Sequence, residues 1–164
     1  MTAFAAMPAR LETPRLVLRR WRESDLAEYR ALVAERGKGT PTEEDVLGRI
    51  RTQLAATAEN GIGLYPVEVD GGFIGYCGLI VGRSTLEEPE IAYELYRRAH
   101  NRGYATEAAE AVVRAVAATG RDRLWSTVGA GNAPSLRVLE KLGFHRSHVT
   151  EGDVVWLTRT LDVH

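Results

Sequence analysis

The stretch NRGYATEA, from Asn101 to Ala108, combines residue types that suit the binding of an anion. The first amides of a helix have no partner within the helix, and the helix dipole favours negative charge beside them. Gly103 has no Cβ and lets a ligand approach the backbone, while Ala105 keeps a neighbouring side chain small. Three arginines add positive charge around this point: Arg97, Arg98 and Arg102. We expect a phosphate site, and the alternative is a capped helix start with solvated arginines.

A second stretch, NAPSLRVLEKLGF, places Asn132 immediately before a predicted helix and Ser135 in its first turn. An asparagine at this position commonly accepts a hydrogen bond from a first-turn amide. The pattern alone is therefore consistent with a helix cap, with a ligand contact, or with both.

The elements that must position these two stretches follow from apolar periodicity. The predicted order is β-α-α-β-β-β-α-β-α-β, and FHRSH is a candidate for a further short strand. The predicted strands cover Arg15–Trp21, 63–69, 72–81, Pro89–Tyr96, 124–129 and 153–161. The predicted helices cover 24–35, 40–59, 106–120 and 133–143.

The unit from Pro89 to Gly129 is a strand, a helix and a strand, with NRGYATEA at its first strand-to-helix junction. Ligands favour such junctions in open α/β sheets. Asp70-Gly71 between two strand-like runs predicts a hairpin, and Pro66 predicts an edge position or a bulge. The fold class is therefore α/β with a partly antiparallel sheet, formed by a single domain over residues 1–164.

The bulk properties exclude several classes of protein. A net charge of -1 over 164 residues provides no global attraction to nucleic acid or to an anionic membrane. No run approaches about 20 consecutive apolar residues, and the first residues lack the pattern of a signal peptide. The single cysteine, Cys77, cannot form an internal disulfide, so we expect a cytoplasmic location. His145 and His148 lack the accompanying ligands of a metal site, and no metal is expected.

Four stretches, in order, resemble the GNAT superfamily of acyl-CoA-dependent N-acetyltransferases, and most closely its RimJ/RimL-like branch. They are LETPRLVLRRWRESDL, FIGYCGL, EIAYELYRRAHNRGYATEA and GNAPSLRVLEKLGF, and together they cover most of the chain. The resemblance implies the GNAT fold, a mixed, largely antiparallel twisted sheet of about six to seven strands flanked by about four helices. It also implies acetyl-CoA as cosubstrate and direct attack of a primary amine on the thioester.

In this family the pyrophosphate of CoA lies on the backbone amides of a loop of the pattern Q/R-x-x-G-x-G/A. The matching stretch here is HNRGYA, so the resemblance implies a cradle made of His100, Asn101, Arg102, Gly103, Tyr104 and Ala105. The hydroxyl of Thr106 is expected beside it. The pantetheine arm is expected to pair with Tyr93, Glu94 and Leu95 and to contact Asn132. His100 departs from the usual Gln or Arg, but the backbone amides remain.

The resemblance also suggests catalytic residues. Many relatives carry a Tyr seven residues after the asparagine as the acid that protonates the leaving thiolate, and this chain has Leu139 there. Ser135 matches the serine that replaces this Tyr in the RimL-like branch, and its hydroxyl would hydrogen-bond the developing thiolate. An amide near Leu95 is expected to polarise the carbonyl. Glu90 is the first candidate for the base that the attacking amine requires, and a solvated strand-end charge is its alternative. Weaker candidates are Tyr93, Tyr104 and Glu107.

The acceptor is left open between two kinds of amine. The resemblance favours the N-terminal α-amine of a protein, as in the ribosomal-protein acetylating branch, while aminoglycosides and amino acids are acceptors of equally similar sequences. The predicted helix pair Ser24–Glu59 is expected to line the acceptor side. Two other classes compete: a non-catalytic acyl-CoA-binding sensor module and a nucleotide-phosphate binder, although the chain has no P-loop. A homodimer is an open expectation, since many relatives are dimers.

Overall fold

The structure, a computed structural model, describes residues 4–162. Within this range the chain forms eight strands and four α-helices. The strands are β1 (Arg10–Glu12), β2 (Val17–Arg19), β3 (Leu64–Val69), β4 (Gly72–Ile80), β5 (Glu90–Leu95), β6 (Arg123–Gly129), β7 (His145–Thr150) and β8 (Val154–Thr160). The helices are α1 (Leu26–Ala34), α2 (Glu43–Asn60), α3 (Tyr104–Ala117) and α4 (Ala133–Lys141).

The strands form one sheet in the order β1-β2-β3-β4-β5-β6-β8-β7. Every neighbouring pair is antiparallel except β5 and β6, which are parallel. The parallel pair requires a crossover, and α3 supplies it. This β5-α3-β6 unit is the strand-helix-strand unit that the sequence predicts.

The β3–β4 hairpin turns at Asp70 and Gly71, which both have positive φ, 50° and 81°. Positive φ at both central residues defines the type I′ turn that suits a two-residue hairpin. Pro66 lies inside β3 opposite Tyr76, and the register shifts between Val67 and Glu68. The predicted irregularity at the proline is thus a bulge beside it.

Helices cover both faces of the sheet. α3 and α4 pack on one face over a core that includes Val112, Leu124 and Leu139. α1 and α2 pack on the other face, where Leu32 and Ile50 are buried in a cluster with aromatic side chains that include Trp21 and Phe73. Each sheet face therefore has its own core, and the two cores flank the strands that carry the site.

The predicted α/β class with a mixed, mostly antiparallel sheet is confirmed, but the sheet within residues 4–162 has eight strands rather than six or seven. The predicted strand Arg15–Trp21 is shorter, Val17–Arg19, because the chain reverses just before it. The amide of Leu16 donates to the hydroxyl of Thr13, and this turn pairs β1 with β2. The candidate strand at FHRSH becomes the full edge strand β7.

None of the helices in the described part of the chain has the length and apolar character needed to cross a membrane.

Candidate functional site

A cleft of about 720 Å³ opens where β5 and β6 separate. The two strands are in register at the pair Glu90–Trp125, and beyond that point the hydroxyl of Ser126 bonds the Ile91 carbonyl instead of a backbone amide. The cleft has two halves. We call the half between β5, α3 and α4 the donor half and the half between β5 and α1 the acceptor half, after the substrates that the sequence resemblance implies for each.

The edge of β5 that faces the opening offers free backbone groups to the donor half. The amide of Tyr96 donates to Ile74 in β4, so alternation turns the amides of even-numbered β5 residues toward β4. The amides of Tyr93 and Leu95 therefore point toward β6, which has already diverged. An extended ligand could pair with this edge as an added strand does.

The start of α3 presents a second set of backbone amides. Gly103 precedes the helix with φ 79° and ψ 4°, a left-handed conformation that glycine adopts without strain. The first hydrogen bond of the helix runs from Glu107 to the Gly103 carbonyl, so the amides of Tyr104, Ala105 and Thr106 precede it. No side chain within residues 4–162 caps this helix end. These amides line the cleft, and together with the helix dipole they suit an anion.

Hydrogen bonds from Thr13 and Arg15, in the turn between β1 and β2, fix the position of this helix start. Arg15 donates through Nε to Glu107 Oε1 at 2.7 Å and through Nη1 to the Arg102 carbonyl at 2.9 Å. The hydroxyl of Thr13 also donates to Glu107. Burial alone would raise the pKa of Glu107, but these donors outweigh it and hold the pKa below its ordinary value. The loop at Gly103 is therefore held by charge-assisted bonds from the β1–β2 turn.

The start of α4 faces the same half. Asn132 caps the helix by accepting from the Ser135 amide at 3.3 Å, and Tyr93 donates its hydroxyl to the Ser135 carbonyl at 3.2 Å. The hydroxyl of Ser135 makes neither of these bonds, and Ser135 lines the cleft. Burial raises the pKa of Tyr93 and keeps its phenol neutral. Leu139, where many relatives carry Tyr, is fully buried in the core rather than in the cleft wall.

The basic residues of the site are only partly those that the sequence suggests. Arg97 lines the cleft, but Arg98 lies over the Tyr96 ring at 4.0 Å, and Arg102 is exposed outside the lining. His100 lines the cleft with its ring nitrogen 3.0 Å from the Leu95 carbonyl.

Sequence reasoning missed Arg137 and Lys141, which line the cleft from α4. Their spacing of four on one helix places both on the same face, and that spacing is a signal the sequence already carried.

The two glutamates of β5, Glu90 and Glu94, lie in different environments. Glu90, the first candidate for the base, is 3% exposed and does not line the cleft. Its carboxylate accepts from the Thr127 hydroxyl at 2.6 Å and from the Arg83 amide. Burial with two donors ties Glu90 to the loop before β5, so it is neither a solvated charge nor part of the cleft.

Glu94 lines the acceptor half, where its carboxylate forms an ion pair with Arg36. Arg36 Nε lies 2.9 Å from Oε2, and Arg36 Nη2 also reaches Oε1. The Tyr76 hydroxyl donates to the same carboxylate at 3.2 Å. Hydrogen bonding to Glu94 raises the pKa of Arg36, and burial raises the pKa of Tyr76. Beside this ion pair, Arg97 Nη2 donates a hydrogen bond to the backbone carbonyl of Glu35 at 2.7 Å.

Cys77 is fully buried, and burial raises the pKa of its thiol. In the part of the chain that the structure describes, no group of three or more His, Cys, Asp or Glu side chains is arranged to hold a metal ion.

The fold and cleft define a class: an α/β protein that offers a helix N-terminus and a free strand edge to one elongated anionic ligand. Residues 15–145 match the family model described as the acetyltransferase (GNAT) domain. Since this match spans most of the chain, the protein belongs to the GNAT acetyltransferase family. The comparison with curated proteins gave no match.

Solved structures share the fold over nearly the whole chain. An acetyltransferase from Agrobacterium tumefaciens is 26% identical, with a TM-score of 0.79 and coverage of 97% of this chain and 98% of its own. RimL, a ribosomal L7/L12 α-N-protein acetyltransferase solved with CoA, is 15% identical, with a TM-score of 0.82 and coverage of 96% and 99%. The protein yncA of Salmonella typhimurium, solved with acetyl-CoA, is 17% identical, with a TM-score of 0.74 and coverage of 92% and 96%.

Proposed function

We propose that this protein transfers an acetyl group from acetyl-CoA to a primary amine, with the N-terminal α-amine of a protein as the favoured acceptor. One observation carries the proposal: the unbonded amides of the α3 start and the free edge of β5 lie in the same cleft. An anion site followed by a strand edge suits a molecule with a pyrophosphate at one end and an amide-containing arm at the other. The cleft volume of about 720 Å³ is within the usual range for a ligand of this size.

The donor would be held by the residues that the sequence resemblance indicates. The pyrophosphate would lie on the amides from Gly103 to Thr106, with Arg137 and Lys141 adding positive charge from α4. The pantetheine arm would pair with the β5 edge between Tyr93 and Leu95, beside Asn132. Acetyl-CoA supplies an activated thioester, and the chain supplies orientation and hydrogen bonds.

In the proposed reaction the acceptor nitrogen bonds to the acetyl carbonyl carbon while the bond from that carbon to sulfur breaks, and a proton passes to the sulfur. The Leu95 amide, which faces the opening, would donate to the carbonyl oxygen as negative charge develops there. The Ser135 hydroxyl would donate to the sulfur. Neither step uses Leu139, which lies in the core.

The acceptor must be neutral to attack, because an ammonium has no free electron pair. Glu90 is not part of this proposal, since its buried carboxylate is occupied by Thr127 and the Arg83 amide. Glu94 is assigned to receive the acceptor's cationic nitrogen and to draw off its proton, because its carboxylate lines the acceptor half.

The likeness in fold to RimL supports a protein N-terminus as acceptor. The proposed location is the cytoplasm, which fits a single buried and unpaired cysteine.

The test is mass spectrometry of products after incubation with acetyl-CoA and two acceptor sets: peptides with free N-termini, and small amines that include aminoglycosides and amino acids. The expected result is one acetyl group on peptide α-amines and one CoA thiol released for each product. Products only among the small amines would replace the favoured acceptor. Tight acetyl-CoA binding with no CoA release from any amine would instead indicate a sensor module.

A further inference from the structure

The acceptor half of the cleft contains a cation supplied by the chain itself. Arg36 lies two residues beyond the end of α1 and makes a two-point contact with Glu94, in which Nε lies 2.9 Å from Oε2 and Nη2 donates to Oε1. A guanidinium in this fork geometry occupies both oxygens of a carboxylate. An ammonium that pairs closely with Glu94 must therefore compete with Arg36 for these oxygens.

Arg36 is attached to a segment that can release it. Gly37 and Gly39 follow with φ of 77° and 97°, and a Cβ at either would meet nothing within 4 Å. Residues 37–40 are exposed. The backbone after Arg36 therefore has room to move without disturbing the core.

The ion pair is also one that solvent weakens. The side chains of Arg36 and Glu94 are 37% and 26% exposed, so water and salt screen their attraction. The neighbouring contacts hold α1 independently, since Arg97 bonds Glu35 and the Tyr96 hydroxyl donates to the Glu28 carbonyl at 2.6 Å. Loss of the Arg36–Glu94 contact therefore leaves α1 attached to the loop after β5.

We propose that Arg36 is a built-in competitor of the acceptor: it occupies Glu94 in the free enzyme, and the acceptor's ammonium displaces it on binding. This inference rests on the proposed function and specifies how the acceptor half selects its substrate. The half then admits a primary ammonium that pairs with Glu94 more favourably than a partly solvated guanidinium does, and it rejects uncharged groups. Displacement moves Arg36 out of the cleft together with the residues that follow it.

Arginine side-chain resonances provide a test that needs no knowledge of the acceptor. The Nε–H signal of Arg36 is recorded in the CoA-bound protein with butylammonium chloride and with tetramethylammonium chloride at equal ionic strength. Butylammonium carries N–H donors and tetramethylammonium has none. Arg51, whose Nε lies 2.9 Å from Glu23 in an exposed pair outside the cleft, is the internal control.

The expected result is that butylammonium moves the Arg36 signal toward its position in Glu94→Gln, while tetramethylammonium does not and Arg51 responds equally to both salts. An Arg36 signal that is the same in both salts would overturn the proposal, and this comparison needs no variant to fold.

Kinetics give a second readout on any peptide that the enzyme acetylates. Arg36→Gln should lower KM for the peptide about twofold to fivefold, the value of one exposed ion pair, and leave kcat within about twofold. Arg51→Gln should leave both constants unchanged. A raised KM in Arg36→Gln would overturn the proposal. If no peptide is acetylated, the proposed function fails while the salt experiment still decides the role of Arg36.

Discussion

The two halves of the cleft are made of different groups. The donor half presents backbone amides, from the start of α3 and from the edge of β5, and their directions are fixed by helix and strand geometry. The acceptor half presents side chains that already have partners in the protein: Arg36 pairs with the Glu94 carboxylate, and Arg97 donates to the backbone carbonyl of Glu35. Backbone groups held in this way cannot collapse together, whereas exposed ion pairs rearrange at a cost of about 1 kcal/mol or less. The donor half is therefore preformed, and the acceptor half must open.

The largest expected effect follows from a side chain at Gly103. Gly103→Val forces a branched residue into a left-handed conformation, and relief of that strain would displace the amides of the α3 start. Affinity for CoA, measured by calorimetric titration, should fall about 10- to 100-fold.

Gly71→Val is the matched control for this variant, because Gly71 has φ 81° and lies in the β3–β4 turn. It should cost similar folding stability and leave CoA affinity unchanged. Equal losses of affinity in the two variants would mean that the donor half does not depend on a fixed backbone.

A smaller effect is expected from the hydroxyl of Ser135. Ser135→Ala should lower kcat about tenfold, because the leaving sulfur loses a donor, and should leave acetyl-CoA affinity nearly unchanged. Single-turnover release of CoA thiol checks this. Ser147→Ala, on the exposed edge strand β7, is the control and should keep full activity. An undiminished rate in Ser135→Ala would remove the serine from the mechanism.

The charged side chains on α4 should contribute less to CoA affinity than the backbone amides of the donor half do. The double variant Arg137→Gln with Lys141→Gln should weaken CoA binding about fivefold at low salt, as expected for exposed charges near an anion. As the salt concentration rises, the CoA affinities of the variant and the wild type should converge. Arg146→Gln, which breaks an exposed pair with Glu140, should behave like the wild type. A salt-independent loss of affinity would indicate that the α4 residues act by shape rather than charge.

The smallest effect concerns the hydrogen bonds of Thr13 and Arg15 with Glu107, which hold the donor half in place. The pKa of Glu107 is lower in the folded protein than its ordinary value of 4.5, so Glu107 contributes stability above that pH. The contribution is lost as pH falls through the lowered pKa. Urea unfolding should show that Glu107→Gln destabilises the protein by about 1 kcal/mol or less at pH 7. The difference from the wild type should shrink toward pH 3. Glu110→Gln, exposed on the same helix, should show no such dependence on pH.

The donor half could be predicted from the sequence because its signals are local. Gly103 before an Ala-rich helix and Asn132 before α4 have direct structural meanings, and both lie where the pattern places them. The hairpin at Asp70-Gly71 is local in the same sense. Each of these features depends on the conformational preference of one or two residues.

The acceptor half could not be predicted, because its contacts join distant exposed residues. Arg36 and Glu94 are 58 positions apart, and no periodicity selects one charged surface residue as the partner of another. Glu90 was a candidate base with a solvated strand end as its alternative, and its burial was not visible in the sequence for a similar reason: it depends on a hydroxyl from β6 and an amide from the preceding loop. The strand β1 has three residues, and all six residues of β7 are exposed, so neither shows a buried face that alternates.

The most direct test of the central claim is an amide NMR titration of the protein with CoA. The largest shifts are expected on the backbone amides of Gly103 to Thr106 and on those of Tyr93 and Leu95. The amides of Gly37 and Gly39, in the connection from α1 to α2, should move least. Large shifts at Gly37 and Gly39 with none between Gly103 and Thr106 would contradict the assignment of the donor half.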